Sequence, residues 1–141
     1  MRKWLISILL LLVSSVACAG EIYLHTFSKH YFVGDVDYNE ENYGLSVAFN
    51  HEQHPFILKK AYRKTQIGFF NNSEGRLSTF YLEGIEYPIT GDLYVGPFIG
   101  VATGYSHGPI LMLAGVFVRY SFIHITVTPQ AALLSFKVLE F

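Results

Sequence analysis

The sequence contains very little cysteine, tryptophan or charge. Its 141 residues include one Cys and one Trp, and only 15% are Asp, Glu, Lys or Arg. Both Cys18 and Trp4 lie close to the N-terminus. The rest of the sequence therefore has no thiol that could form a disulfide, bind zinc or act as a nucleophile. Strand or helix packing must stabilise the fold without covalent cross-links.

The sequence also lacks an apolar run long enough to cross a bilayer as a helix, which takes about 20 residues. The longest run, residues 5–13, follows the basic residues Arg2 and Lys3 and precedes small residues at 17–19. This order is that of a secretory signal peptide. We therefore expect residues 1–19 to be removed near Ala19 and the chain to leave the cytoplasm.

A lipoprotein signal is the alternative interpretation, because Cys18 would then become a lipidated first residue. The sequence required for lipidation favours Leu three places before the Cys, where this chain has Ser15. We therefore favour cleavage near Ala19, which leaves residues 20–141 as one domain.

The charge balance after the signal is slightly acidic. Of 10 Lys and Arg, Arg2 and Lys3 belong to the signal, against 11 Asp and Glu in the whole sequence. This balance argues against a nucleic-acid-binding protein. Aromatic residues make up 16% of the sequence. That content is high for a soluble domain of this size but is expected of a β-barrel that faces lipid.

Apolar residues recur with the period of a β-strand. Large apolar residues from Tyr43 to Phe49 alternate with small or polar ones, and Ile123 to Val127 alternate with His124 and Thr126. This pattern is typical of a strand with lipid on one face and a narrow lumen on the other. A half-buried strand of a soluble sheet gives the same period.

Turn signals divide residues 20–141 into eight strands. The predicted spans are 21–30, 43–50, 57–70, 76–86, 92–104, 109–119, 122–128 and 131–141. The sequence thus predicts an all-β fold, an eight-stranded antiparallel up-and-down transmembrane β-barrel in the outer membrane of a Gram-negative cell. Closure of such a barrel removes the sheet edges that lipid does not tolerate.

The last strand is the weakest match to this pattern. A terminal Phe such as Phe141 is common in outer-membrane proteins and is read by the barrel-assembly machinery, which we expect to be a partner. We expect Leu133, Leu139 and Phe141 to face lipid, but Ser135 and Lys137 would then share that face. A Lys near the interface can extend its amine to water at modest cost.

Candidate catalytic residues gather at the predicted outer rim. His30 ends the first strand, Ser73 lies in the second outer loop, and Asp37 and Glu40 lie in the acidic first loop. A Ser, a His and a carboxylate are the parts of an acyl-transfer site. His30 would be the base, Ser73 the nucleophile or a transition-state donor, and Glu40 or Asp37 would orient His30. Polar residues also collect in surface loops without any catalytic role.

Three further motifs have structural interpretations. Residues 51–54 (His-Glu-Gln-His) are one residue short of the zinc-protease pattern, and Pro55 favours a turn, so we predict no metal and no cofactor. We expect His124 to face the lumen and to bond a Tyr or Thr. Close packing in a narrow barrel, or a smooth cavity for an acyl chain, would each explain the glycines of the fifth strand: Gly96, Gly100 and Gly104. The Ser106-His107 pair lies in the third outer loop.

Residues 38–45 (Tyr-Asn-Glu-Glu-Asn-Tyr-Gly-Leu) resemble a family of small, mostly uncharacterised outer-membrane barrels from phages and proteobacteria. Further matches cover nearly the whole chain after the signal: His30, Asn72-Ser73, residues 100–105 and Pro129. The resemblance is specific to the family and says little about activity.

The chain is more distantly similar to the lipid A palmitoyltransferase family, whose members are eight-stranded barrels. That family uses a His in the first outer loop and an Asp-Ser pair in the second, and measures an acyl chain inside the barrel. The resemblance implies that His30 and Ser73 take matching places. Asn72 stands where that family has Asp, and Ile22 already begins a strand where that family has an amphipathic helix. The His-x-Ser pair of the lipid A deacylases has no match here.

Three functions remain open from the sequence. The first is an acyltransferase or acyl hydrolase acting on outer-membrane lipid, either lipopolysaccharide or phospholipid. The second is a non-enzymatic surface barrel for phage exclusion, receptor masking or resistance to host defences. The third is a soluble periplasmic barrel or sandwich that binds a small apolar ligand.

Overall fold

The computed structural model describes residues 20–31, 38–51, 61–106 and 108–141. The predicted signal peptide and Asp37 lie outside these residues. Eight strands form one closed antiparallel sheet, in which each strand pairs with its sequence neighbours and β8 pairs with β1. The strands are β1 (Gly20–His30), β2 (Glu41–His51), β3 (Tyr62–Asn71), β4 (Leu77–Thr90), β5 (Leu93–Ala102), β6 (Leu111–Tyr120), β7 (Ile123–Val127) and β8 (Ala131–Glu140). The predicted eight-stranded up-and-down barrel is confirmed.

The barrel has two different ends. The connections that follow β1, β3, β5 and β7 lie at one end, which we name the loop end. Gly20 and Phe141 lie at the opposite end, named here the termini end, where each donates a backbone hydrogen bond to the other at 2.7 and 2.9 Å. Within the described ranges, no helix is long and apolar enough to cross a membrane.

The alternation predicted for β2 is confirmed. Tyr43 and Leu45 are exposed on the outer surface, whereas Ser46 and Ala48 are buried in the lumen. Other strands also place large apolar side chains outside, so the outer surface of the barrel is mainly apolar. Exposed examples are Leu24, Phe27, Ile67, Phe69, Tyr81, Ile99, Met112 and Val116.

A β-bulge in β1 determines where His30 points. From His25 to Phe27 the partner on β8 advances by only one residue, from Ser135 to Leu134, so Thr26 is an extra residue relative to β8. One extra residue reverses the faces of all residues beyond it. Phe27 and Lys29 are therefore exposed, while His30 turns into the lumen.

A second irregularity corrects the prediction for β8. Tyr23 pairs with Lys137 and Ile22 with Leu139, so the register shifts at Val138. Leu139 is exposed as expected, but Lys137 and Leu133 face the lumen, so the expectation that Leu133 faces outward is wrong. The extra residue explains why an inward Lys and an outward Leu are only two positions apart.

A buried group of charged side chains fills the half of the lumen nearer the termini end. Lys64 is 0% exposed, and its amine donates to Glu21 at 2.8 Å, to the Tyr23 hydroxyl at 2.8 Å and to Glu86 at 3.1 Å. Arg119 donates two hydrogen bonds to Glu86, at 3.0 and 3.1 Å. We name these five residues the charged layer. Buried charges persist only when paired in this way.

Aromatic rings pack on the charged layer because glycines leave space for them. Phe98 and Phe117 stack with ring centroids 4.6 Å apart. A Cβ atom at Gly84 would lie 2.5 Å from the Phe117 ring, and one at Gly115 would lie 2.8 Å from the Phe98 ring. Gly96 and Gly100 also lack room for a side chain, since a Cβ at either would strike a carbonyl oxygen of β4. Close packing, rather than a smooth cavity wall, therefore explains these glycines.

Candidate functional site

The lumen opens into a cavity of about 440 Å³ at the loop end. Its size falls in the range of small-molecule pockets. Side chains of Phe80, Leu82, Phe98 and Leu133 form apolar walls, while His30 and Ser73 lie at the loop end of the same cavity. The structure thus brings two of the four predicted site residues to one cavity.

His30 enters the cavity through the bulge in β1 and rests against a tyrosine. Its ring stacks on Tyr38 with centroids 4.6 Å apart and planes inclined by 15°. The Nδ1 atom of His30 is buried and has no hydrogen-bond partner. A ring nitrogen in this state can accept a proton from a ligand or a side chain that moves towards it.

Ser73 is positioned by the tight connection between β3 and β4. Its carbonyl oxygen accepts a hydrogen bond from the backbone N–H of Asn39 at 2.8 Å, which ties this connection to the one before β2. Gly75 completes the turn with φ +70°, a conformation that favours glycine. Among the described residues, no hydrogen bond joins Ser73 to His30.

Of the two predicted carboxylates, only Glu40 is described, and it bonds Lys29 rather than His30. Glu40 accepts a hydrogen bond from Lys29 at 2.7 Å, and both side chains are largely exposed. Because Lys29 faces outward from β1, this pair lies on the outer side of the barrel wall. Asp37 lies outside the described residues.

Asn72 organises this end of the barrel, a role that sequence reasoning did not assign to it. Its side-chain oxygen accepts from the backbone N–H groups of Glu74 and Arg76 at 2.9 and 3.0 Å. Its amide donates to Ser78 at 2.9 Å and to the Gly104 carbonyl at 3.0 Å. An Asp at this position could not donate these two bonds. The sequence signal was an Asn three residues before a Gly, which is typical of a turn.

A chain of polar side chains forms the floor of the cavity. His25 is 1% exposed, and its two ring nitrogens bond Ser135 at 2.7 Å and Ser46 at 2.9 Å. Gln66 donates to Ser46 at 2.7 Å. Sequence reasoning predicted Ser46 to face inward but did not identify this cluster, because Ser135 lies 110 residues from His25 and meets it only when β8 closes on β1.

A carboxylate of the second loop-end connection, Glu74, bonds the third connection. Glu74 accepts from the Ser106 hydroxyl and from its backbone N–H, both at 2.8 Å. Burial, followed by the negative charge of Glu74, raises the pKa of Tyr105 to about 12. Tyr105 also lines the cavity. His107, which the sequence placed beside Ser106, lies outside the described residues.

The barrel wall has fewer hydrogen bonds beside the cavity. The ladder between β6 and β7 begins at the pair Val116–Val127, so residues 111–115 of β6 have no partner on β7. Leu111 and Leu113 line the cavity from this part of β6. Residues 111–115 of β6 are therefore held in the sheet only by β5.

The motifs with metal or histidine chemistry behave as structural elements where they are described. His51 bonds Thr65 at 3.0 Å on the outer surface, and residues 52–54 lie outside the described ranges. His124 faces the lumen as predicted, but the expected bond to Tyr or Thr is absent, and its ring packs on Tyr23 and Phe117. Among described side chains, no group of three His, Cys, Asp or Glu could hold a metal ion.

A second recess of about 440 Å³ lies at the termini end, beyond the charged layer. Its lining is mainly polar or charged and includes Glu21, Glu86, Arg119 and Lys137. The charged layer separates it from the loop-end cavity, so the lumen is not a continuous channel.

No family model and no curated protein sequence matches the chain. The function must therefore be argued from the cavity itself.

Proposed function

We propose that the protein is a small outer-membrane barrel that takes an acyl chain of an outer-leaflet lipid into the loop-end cavity and modifies that lipid by acyl transfer or deacylation. The observation that carries the proposal is the coincidence of an apolar cavity with His30 and Ser73 at its loop end. Apolar walls suit the hydrocarbon, and the polar residues suit the ester that joins it to a headgroup.

The outer surface supports a membrane location. Large apolar side chains are exposed around the barrel, including Leu45, Ile67, Ile99 and Met112. A soluble protein rarely leaves so extended an apolar surface in water. Exposed charges such as Lys29 and Glu40 lie at the loop end, where a membrane protein meets water again.

The interrupted ladder between β6 and β7 supports an acyl chain as the occupant. Hydrogen bonds left unpaired in hydrocarbon are costly, so a gap in a membrane barrel calls for a functional reason. The gap adjoins Leu111 and Leu113 of the cavity wall. A chain that leaves the bilayer sideways through this gap would reach the cavity without crossing water.

The proposed chemistry uses the unpartnered nitrogen of His30. The Ser73 hydroxyl oxygen attacks the ester carbonyl while His30 accepts the hydroxyl proton, and the carbonyl electrons move onto the oxygen. Collapse expels the lipid alkoxide, which takes the proton back from His30. A second alcohol or water then removes the acyl group from Ser73, which gives transfer or hydrolysis respectively. Backbone N–H groups of the loop end would stabilise the oxyanion.

Mass spectrometry of lipid A and phospholipid from expressing cells tests this proposal. We expect the wild-type protein to add or remove one acyl chain, and His30→Ala and Ser73→Ala each to lower product at least about a hundredfold. Thr79→Ala is a matched control, because Thr79 carries an exposed hydroxyl bonded to Thr103 outside the cavity. Lipid spectra identical to those of cells without the protein would overturn the proposal.

One observation favours a non-enzymatic surface barrel as the second candidate. His30 stacks on Tyr38 and Glu40 bonds Lys29, so the described residues hold no assembled Ser-His-carboxylate triad. In that case the loop end would act by binding, for example to mask a receptor or to exclude phage. Replacing residues 32–37 by a Gly-Ser segment should then abolish phage exclusion while wild-type lipid spectra stay unchanged. Retained exclusion would contradict this candidate.

A further inference from the structure

The floor of the loop-end cavity is chemically unlike its walls. The walls are apolar, but His25 and Gln66 line the cavity on the side nearer the termini end. A cavity that held only hydrocarbon would be expected to end on apolar side chains, because a buried polar group in contact with hydrocarbon is destabilising. Leu82 pairs with Gln66 across β3 and β4 and also lines the cavity, so an apolar side chain fits at this level.

The hydrogen bonds of the floor form one connected chain. The Gln66 amide donates to the Ser46 hydroxyl oxygen, which also bonds Nε2 of His25. Nδ1 of His25 bonds Ser135, and either tautomer of His25 completes the chain because a hydroxyl both donates and accepts. Every polar atom of this chain has a partner except one.

The exception is the side-chain oxygen of Gln66. Gln66 is 1% exposed, and its Oε1 atom is buried without a hydrogen-bond partner. Such atoms are rare in folded proteins and call for an explanation. If the amide is reversed, its NH₂ group takes the same place and is equally unpaired. In either orientation, Gln66 keeps one polar atom without a partner, and Gln66 is one of the residues that line the cavity.

We infer that Gln66 recognises a hydroxyl group at the distal end of the chain that occupies the cavity. The ligand class is therefore a hydroxylated acyl chain rather than a plain saturated one. This inference rests on the proposed function, since it specifies the substrate of the same cavity. A hydroxyl both donates and accepts, so it completes the hydrogen bonds of Gln66 in either amide orientation.

Binding of two fatty acids of equal length tests the inference. The probes are decanoic acid and omega-hydroxydecanoic acid, which differ only at the distal carbon. The full chain after signal removal is held in an amphipathic polymer, because a single-chain detergent would compete for the cavity. We expect the hydroxy acid to bind wild type about tenfold more tightly, the effect of one well-formed buried hydrogen bond.

Two variants test whether Gln66 causes the preference for the hydroxy acid. Gln66→Met keeps the length of the side chain and removes its polar atoms, so the preference should disappear or reverse. Ile67→Met is the matched control, because Ile67 is the next residue of β3 and is exposed on the outer surface. Ile67→Met should leave the affinities for both fatty acids at their wild-type values.

A measurement on the wild-type chain keeps the test independent of whether Gln66→Met folds. The side-chain amide resonance of Gln66 should shift when the hydroxy acid binds and stay in place with decanoic acid. Equal affinities, or tighter binding of decanoic acid to wild type, would overturn the inference and leave the proposed function intact. If neither acid binds the folded barrel, both fail together.

Discussion

The loop-end cavity and the charged layer occupy the same barrel, yet one is open and the other is filled. The same eight strands surround both. Phe80, Leu82 and Leu133 leave a cavity between them at the loop end, whereas Tyr23, Lys64 and Phe117 fill the lumen nearer the termini end and are fully buried. Eight strands give a lumen that side chains can just fill. The comparison teaches that side-chain choice, level by level, decides where such a barrel is hollow.

The largest expected effect is the loss of stability when the charged layer loses its central cation. In Lys64→Met, the carboxylates of Glu21 and Glu86 lose the cation between them and stay buried. Loss of one partner from a buried ion pair costs about 3–5 kcal/mol, so this variant should unfold at much lower urea. Heat-modifiable gel mobility across a urea series measures the change. Arg63→Met is the control: Arg63 pairs with Glu83 on the outer surface, and its loss should change stability far less.

A smaller loss is expected from overfilling the same region. Gly84→Ala would place a Cβ atom 2.5 Å from the Phe117 ring and 2.9 Å from the Pro97 carbonyl oxygen. Overpacking of this kind costs about 1–3 kcal/mol of unfolding free energy. Gly108→Ala should unfold like wild type, since the nearest atom to its added Cβ would be 4.0 Å away. Equal stability of the two variants would show that the rings move aside at little cost.

Filling the loop-end cavity should lower the affinity for fatty acids, whereas it should not lower the stability of the barrel. Leu113→Phe enlarges a side chain that lines the cavity, so it should weaken fatty-acid binding about tenfold or more without loss of unfolding free energy. Met112→Phe, on the exposed face of the same strand, should leave the affinity unchanged. Isothermal titration and urea unfolding measure the two quantities. A variant that loses stability but keeps its affinity would contradict the assignment of the cavity.

The smallest effect concerns pH at the loop end. Tyr105 has a folded-state pKa of about 12 against an ordinary value of 10.0, because burial and Glu74 disfavour its ionised form. A pKa raised by folding gives stability that is complete below pH 10 and is lost as pH rises towards 12. The urea midpoint of wild type should therefore fall relative to that of Tyr105→Phe over that interval. A difference that does not vary with pH would contradict the shift.

The strand count and most faces could be predicted from the sequence, because turn residues and period-two alternation are local signals. In β2, for example, the alternation from Tyr43 to Phe49 is sufficient. The faces of His30 and Lys137 were not predictable in this way. Each lies beyond or beside a register shift, and one extra residue exchanges inside for outside without a clear sequence signal.

The candidate site, too, was predictable only in part from the sequence. Sequence order predicted that His30 and Ser73 reach one rim, and they line one cavity. Contacts between distant strands were not predictable: Ser135 with His25, and Lys64 with Glu21, each depend on the register of the closed sheet. The stacking of His30 on Tyr38, and the bond of Glu40 to Lys29, likewise depend on where Tyr38 and Glu40 lie beside the end of β1.

Lys64 and Glu21 belong to strands that are not neighbours in the sheet, since β2 lies between β3 and β1. Lys64 also bonds Glu86 of the adjacent β4, so one ammonium group joins β1, β3 and β4. The buried charge on each of these strands is balanced only while the other two strands keep their register. A slip of one residue would turn a charged side chain to the outer face, so the ion pairs penalise a mispaired sheet.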